Sequence, residues 1–129
     1  LNANTLKNKH ILNDINSKIV IRSLKVRHGS IKSICYIINY KCAYAPDVNY
    51  IDSKDLKYLK NLKYFIVDCL RYNYHPTHFN LDDVLKLIRK LKPKKTILTN
   101  PSNEIDYNEI KKKLPKNVIP AHDGLTVLI

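Results

Sequence analysis

The sequence predicts an α/β fold in which helices pack on a mixed β-sheet. Short apolar runs rich in β-branched residues recur along the chain, which is typical of strands. In the second half these runs alternate with stretches whose apolar residues recur at helical spacing. Alternating strands and helices are typical of layered α/β architectures. At 129 residues the chain has room for one domain with one core.

The first strands follow a polar start. Residues 1–17 show no sustained hydrophobic period, so we expect them to be disordered unless a partner orders them, and we place the domain at 18–129. Residues 18–26 predict the first strand. Residues 33–40 predict the second, which is apolar on both faces and is therefore expected to be buried on both. The segment 27–30 between them is typical of a tight connection.

Three further elements precede the main helix. Residues 41–45 predict a short third strand, which Pro46 stops because proline cannot donate a ladder hydrogen bond. Residues 54–60 predict a short helix or turn. Residues 64–69 predict another buried strand.

Two helices and the last strands complete the order. Asn80 is a good N-cap for a helix that Pro93 ends. The apolar face of this helix comprises Leu81, Val84, Leu85, Ile88 and Leu91. Asp106 caps a second, lysine-rich helix, which runs to Leu114 and is stopped by proline. The remaining predicted strands are 96–99, 118–119 and 125–129, the last two joined by a turn at Asp123 and Gly124.

The composition narrows the environment and the partners. No apolar run reaches the about 18 residues of a membrane span, and no signal peptide is visible, so we expect no membrane partner. Three cysteines form an odd, sparse set, which favours a reducing compartment, the cytoplasm. The net charge of +12 is nearly all lysine in a chain also rich in Asn, Ile and Tyr, as AT-rich bacterial genomes encode. We therefore predict a solvated basic surface rather than a nucleic-acid patch.

Five sequence blocks contain the side chains that are best suited to catalysis or metal binding. Each pairs a strand-like run or turn with histidine, aspartate or asparagine: His28-Gly29, residues 43–47, residues 68–79, residues 98–107 and residues 121–125. In this order they resemble the C-terminal half of metallo-β-lactamase-fold hydrolases, in the branch of the PhnP-like phosphodiesterases. The resemblance runs from about residue 18 onward. It implies one half of an αββα sandwich, with a mixed sheet and two main helices.

The resemblance implies roles for three residues, and we assign a fourth, Asp68, from its place at the end of a buried strand. His28 and Asp47 would be metal ligands for zinc or manganese, with Asp47 bridging two ions. His78 would contact the substrate phosphate or give a proton to the leaving group, while Asp68 would support the site from behind the ligands. Without the resemblance each has a plainer interpretation: a loop histidine beside glycine, a turn aspartate after Pro46, or an aspartate bonded to loop amides.

The chain also departs from the family pattern. Asn100 and Asn103 stand where the family has histidines, and an amide oxygen is a poor replacement for imidazole on zinc. The family motif His-x-His-x-Asp-His, which supplies most of the other ligands, does not occur in the sequence. His122 stands where the family more often has an aromatic residue.

These observations leave three hypotheses for function. The sequence starts at Leu1 and contains no methionine, so the resemblance favours a truncated or split hydrolase, ancestrally a phosphodiesterase and inactive alone. It could instead be the C-terminal subunit of an active split enzyme, completed by a separate N-terminal half-domain chain. The third is a non-catalytic, basic nucleic-acid-binding module. An uncovered half-sandwich would also tend to self-associate.

Overall fold

The structure is a computed structural model that describes residues 9–14 and 17–129. It contains one seven-stranded mixed sheet and two α-helices, which confirms the predicted α/β class. The strands are β1 (Lys9–Asp14), β2 (Ser17–His28), β3 (Ile31–Ile38), β4 (Cys42–Ala45), β5 (Tyr64–Asp68), β6 (Lys95–Thr99) and β7 (Val118–Pro120). The helices are α1 (Leu81–Leu91) and α2 (Tyr107–Lys113), with a 3₁₀ turn at Leu56–Tyr58 between β4 and β5.

The strands lie in the sheet in chain order, and the pairing changes once. From β1 to β4 neighbours are antiparallel, whereas β4, β5, β6 and β7 are parallel to one another. Short turns suffice between antiparallel strands, while parallel neighbours need longer connections such as α1 and α2. Since β2 runs in the same direction as β4, the carboxyl ends of β2, β4, β5 and β6 lie at one edge. This edge positions the candidate site.

Both helices begin at the predicted caps. The Asn80 side chain accepts a hydrogen bond from the Asp83 N–H at 2.9 Å, and the Asp106 side chain accepts one from the Glu109 N–H at 2.9 Å. Each bond satisfies an N–H that has no partner inside the helix. Lys92 closes α1 in the left-handed conformation, one residue before the proline that cannot continue the helix. Neither helix in the described part of the chain is long and apolar enough to cross a membrane.

One face of the sheet forms the hydrophobic core with the helices. Cross-strand register places Leu24 beside Cys35, and Ala43 beside Phe65. Their side chains belong to one buried cluster that also contains the α1 residues Val84, Ile88 and Leu91. The cysteines Cys35, Cys42 and Cys69 are all buried and free, as small hydrophobic residues would be.

The opposite face of the sheet is apolar but incompletely covered. One row of cross-strand neighbours on this face runs across five strands: Tyr36, Tyr44, Ile66, Ile97 and Ile119. We name these five residues the open face. Ile97 is buried, but Tyr44 is 39% exposed. The prediction that the second strand is buried on both faces is therefore wrong for one face: Cys35 and Ile37 are buried, whereas Ile34, Tyr36 and Ile38 are only partly so.

The structure differs from the prediction at both ends. Lys9–Asp14 form strand β1, in a segment for which we expected no regular structure. This edge strand pairs along its length with β2, and such pairing overrides the weak local preference of a polar sequence. The prediction for residues 1–8 and 15–16 lies outside the described residues. At the other end, residues 125–129 are not a strand, although the predicted turn is present: Leu125 N–H donates to the His122 carbonyl at 3.1 Å.

Candidate metal centre

Three predicted site residues meet at the edge where the strands end. His28 is the last residue of β2, Asp47 lies two residues beyond β4, and His78 lies in the loop between β5 and α1. One potential ligand atom from each lies within 4.8 Å of the others. Strand direction explains this convergence, because all three segments leave the sheet at the same edge. That His28 and Asp47 bind metal, and that His78 acts on the substrate, remain predictions.

The orientation of His28 is fixed by the loop before α1. Its Nδ1 lies 2.8 Å from the carbonyl oxygen of Thr77. A carbonyl only accepts hydrogen bonds, so Nδ1 carries the proton and donates it. The other ring nitrogen, Nε2, then keeps a free lone pair when the ring is neutral.

His78 has the same arrangement with a stronger acceptor. Its Nδ1 lies 2.5 Å from Oδ2 of Asp68. The side chain of Asp68 is fully buried, and that of His78 is 17% exposed. A carboxylate accepting from Nδ1 again leaves Nε2 as the available nitrogen. The rings of His28 and His78 meet edge to face, with centroids 4.5 Å apart.

Asp68 connects the His78 loop to the loop that carries Asp47. Its Oδ2 also accepts the backbone N–H of Val48 at 3.1 Å, while Oδ1 is buried and has no hydrogen-bond partner among the described residues. Burial raises the pKa of this carboxyl to about 6, against the opposing effect of the bonds from Val48 and His78; the nearby charge of Asp47 raises it further. Asp68 therefore orients groups of the site from within the core.

His75 differs from His78 although it is only three residues away. The backbone N–H of Thr77 donates to its Nδ1 at 3.3 Å. Because this nitrogen accepts, the proton of the neutral ring is on Nε2, the reverse of the arrangement in His28 and His78. Desolvation, together with the positive charge of Arg71, lowers the pKa of His75. These contacts hold His75 within its own loop.

Gly29 and Asn49 hold three loops together, and the sequence did not single out either for this role. Gly29 has φ +64°, and a Cβ added to it would lie 2.6 Å from Cγ2 of Thr77. The Asn49 side chain accepts from the Gly29 N–H at 3.0 Å and donates to the Pro76 carbonyl at 2.8 Å. Asparagine often bonds to loop backbone, but that tendency does not say which loops it joins.

Asn100, Asn103 and His122, which stand where the sequence departs from the family pattern, do not belong to the cluster of His28, Asp47 and His78. Asn100 donates through Nδ2 to the carbonyl of Pro46 at 2.5 Å, so its amide fixes the backbone next to Asp47. Asn103 is exposed. His122 is also exposed; its Nδ1 donates to the carbonyl of Asp123 at 3.0 Å, and its ring centroid lies 6.2 Å from that of Tyr107.

The donor set fits a divalent transition metal. Two imidazoles and one carboxylate suit ions such as zinc or manganese. Histidines that bind metal usually donate their other ring N–H to a carbonyl or a carboxylate, as His28 and His78 do here. Among the described residues the cluster has three donors, which is enough for one ion with open positions but too few for two.

Comparison with known proteins agrees with this fold. A family model described as a β-lactamase superfamily domain matches residues 3–99. A diphosphatase of the PhnP family is similar in structure, with a TM-score of 0.86 and 27% identity over 96% of this chain and 47% of that one. Human tRNase Z, short form, has a TM-score of 0.70 at 15% identity, covering 95% of this chain and 46% of its own.

A further solved structure, the metallo-β-lactamase fold protein YhfI of Bacillus subtilis, has a TM-score of 0.73 at 14% identity, covering 93% of this chain and 53% of its own. No curated protein matches the sequence significantly. The chain thus spans about half the length of the solved structures that it matches. The match of the family model over most of the sequence shows that the chain belongs to the β-lactamase superfamily.

Proposed function

We propose that this chain supplies one half of the site of a metal-dependent phosphodiester hydrolase. The observation that carries the proposal is the cluster of His28, Asp47 and His78, with Asp68 bonded behind His78. The similarity to a PhnP-family diphosphatase, at 27% identity, supports a phosphate-containing substrate. That protein acts on a diphosphate, so a diphosphate ester is the alternative substrate class to a simple phosphodiester.

The four residues have separate tasks in this proposal. His28 and Asp47 hold metal, which when bound supplies positive charge for the phosphate and lowers the pKa of water. His78 contacts a phosphate oxygen, or in its imidazolium form gives the Nε2 proton to the leaving oxygen. Asp68 accepts from Nδ1 and so holds Nε2 toward the substrate and stabilises the imidazolium. The N-cap of α1, Asn80, lies two residues beyond His78, and the helix N-terminus there adds a potential that favours an anion.

The chain on its own should be inactive in this proposal. Three donors cannot hold the two ions of a dinuclear hydrolase, so the missing ligands must come from residues outside this sequence. They would belong either to another part of the same polypeptide or to a separate half-domain chain. The family motif His-x-His-x-Asp-His is the expected source.

The position of the site suggests that the half-domain that supplies the missing ligands would also cover the open face. A cleft of about 530 Å³ opens beside His28 and Asp47, and its other walls include Ile34 and Tyr36 from the incompletely covered side of the sheet. The metal edge and this apolar surface are therefore adjacent. A second sheet that covered the surface would bring its own strand ends to the cleft. Without it, the same surface would favour self-association.

Complementation tests the proposal. Hydrolysis of a bis-aryl phosphodiester and of an aryl diphosphate should be measured with zinc or manganese, for the chain alone and with the other half of the matched diphosphatase added in trans. We expect turnover only in the mixture, and its loss with Asp47→Asn. A mixture that forms a complex yet hydrolyses neither substrate, or turnover that survives Asp47→Asn, would contradict the proposal.

A further inference from the structure

We propose that His78 is a metal ligand in this chain, and that His28, Asp47 and His78 form a mononuclear site that the chain fills without a partner. The inference shares with the proposed function only the assignment of His28 and Asp47 as ligands. It gives His78 a second role, because the family resemblance implies contact with substrate and not with metal. In a completed dinuclear site, additional ligands would leave His78 Nε2 to the substrate.

The first support is distance. The potential ligand atoms of the three residues lie within 4.8 Å of one another, close to the separation of donors that share one ion. Metal to nitrogen or oxygen bonds of about 2.0–2.2 Å place neighbouring donors about 3–4 Å apart. Small shifts of the loops that carry these residues, with the ring hydrogen bonds kept, would therefore bring all three into contact with a single cation.

The second support is the direction of the lone pairs. Thr77 and Asp68 accept from the Nδ1 atoms of His28 and His78, so both rings have Nε2 free to bind. The two acceptors also prevent the rings from turning, and the outer partners of metal-binding histidines act in this way. The tautomers that binding requires are thus already selected before any ion arrives.

The third support is that the neighbouring groups are engaged elsewhere. His75 has the opposite tautomer, because Thr77 N–H donates to its Nδ1. Asn100 is held by the carbonyl of Pro46. Asp68 accepts two hydrogen bonds through Oδ2, and its Oδ1, which has no hydrogen-bond partner among the described residues, is buried in the core rather than exposed at the cluster. Among the described residues, His78 is therefore the donor best placed to complete a site on His28 and Asp47.

The donor set identifies the class of ion. Two imidazoles and one carboxylate favour divalent zinc, cobalt, manganese or iron, whereas calcium and magnesium prefer sites made of oxygen. The three donors leave open positions on the ion. The site should therefore bind one such ion per chain and discriminate against magnesium.

Equilibrium dialysis against zinc tests the inference in the absence of substrate. We expect one zinc per wild-type chain, and a loss of affinity of more than about tenfold for His78→Gln, since changes even to the partners of ligands cost about 10–100-fold. His122→Gln is the matched control that should bind as the wild type does, and His75→Gln, which keeps an oxygen that can accept from the Thr77 N–H, should lose less affinity than His78→Gln. Equal zinc binding by wild type and His78→Gln, no binding by the wild type, or a larger loss for His75→Gln would overturn the inference.

Nitrogen-15 NMR of the imidazole rings gives an answer that does not need a variant to fold. On adding zinc to the wild-type chain, the Nε2 signals of His28 and His78 should shift as metal-bound nitrogens do, while those of His75 and His122 should not. An unshifted His78 ring at saturating zinc would exclude it as a ligand. Failure of phosphodiester hydrolysis would leave both readouts unchanged, so the two proposals fail separately.

Discussion

Gly29 and Thr77 approach so closely that no side chain fits between them. A Cβ on Gly29 would lie 2.6 Å from Cγ2 of Thr77 and 3.7 Å from the Pro76 carbonyl. Gly29 directly follows His28, and Thr77 directly precedes His78, so this contact sets the separation of the two imidazoles. Packing of the turn after β2 against the loop before α1 is therefore part of the candidate site.

Gly29→Ala tests this contact. The added methyl group forces the Thr77 side chain or its loop to shift, and φ +64° adds the strain of a left-handed residue, of order 1 kcal/mol. We expect weaker zinc binding and a loss of unfolding free energy, read by dialysis and urea denaturation. Gly124→Ala is the control, since Gly124 has φ +80° but nothing within 4 Å of the added methyl. Equal effects of the two substitutions would show that the Thr77 contact is unimportant.

Asn49 should matter through its two hydrogen bonds. It accepts from Gly29 N–H and donates to the Pro76 carbonyl, so Asn49→Ala removes both while Asn49→Asp keeps only the acceptor. Each neutral bond contributes about 1 kcal/mol. We expect the alanine variant to lose about 2 kcal/mol in urea denaturation and the aspartate variant about half as much. An alanine variant as stable as the wild type would mean that the loops hold their positions without Asn49.

The sequence predicted what local patterns determine. The cap at Asn80 and the apolar spacing of α1 are short-range signals, and the structure reproduces both. The gathering of His28, Asp47 and His78 was also predictable, because strand direction sends their segments to one edge. Strand β1 was not, since an edge strand with polar residues is stabilised by pairing with β2.

The finer parts of the site depend on distances between loops far apart in sequence. The bond from Asn49 to Pro76 spans 27 residues, and that from His28 to Thr77 spans 49. No local pattern distinguishes these residues from ordinary loop residues. The different tautomers of His75 and His78 likewise come from their acceptors and donors in the fold, although both belong to one His-x-x-His sequence.

Asp68 should make stability depend on pH. The pKa of the Asp68 carboxyl rises from its usual value of 3.8 to about 6 in the folded chain. The folded chain therefore holds the carboxyl proton more tightly than the unfolded chain does. The resulting stabilisation is complete below about pH 4 and is lost as the pH rises through 6. A shift of about two pKa units corresponds to about 3 kcal/mol.

Urea denaturation of metal-free wild type and Asp68→Asn between pH 4 and 7 measures this dependence. Position 68 in the variant does not titrate, so the wild-type stability minus that of the variant should fall by about 2 kcal/mol over this range, which is most of the whole effect. A difference that stays constant or rises with pH would contradict the raised pKa.

The open face should drive association of the isolated chain. Tyr44 lies between Tyr36 and Ile66 in this row and is 39% exposed. We expect oligomers in sedimentation experiments and binding of a hydrophobic dye, both reduced by Tyr44→Lys. Tyr74→Lys is the control, because Tyr74 is 71% exposed in a loop outside the sheet. A wild-type monomer with a cooperative melt and no dye binding would show that this face needs no cover.

Restoring the histidines of the family should improve metal binding only modestly. Asn100 has φ +57°, a conformation that histidine tolerates better than most residues, so Asn100→His should fold. It loses the bond to the Pro46 carbonyl, which fixes the backbone beside Asp47, and that loss offsets part of the gain from a new imidazole. Asn103→His adds a further imidazole at an exposed position.

Elemental analysis of both variants and of the double variant should still find fewer than two ions per chain, with no hydrolysis of a bis-aryl phosphodiester. The other half of the matched diphosphatase, added in trans, should raise metal content more than either substitution. Two tightly bound ions with turnover in the unmodified chain would show that this chain completes the site without outside ligands.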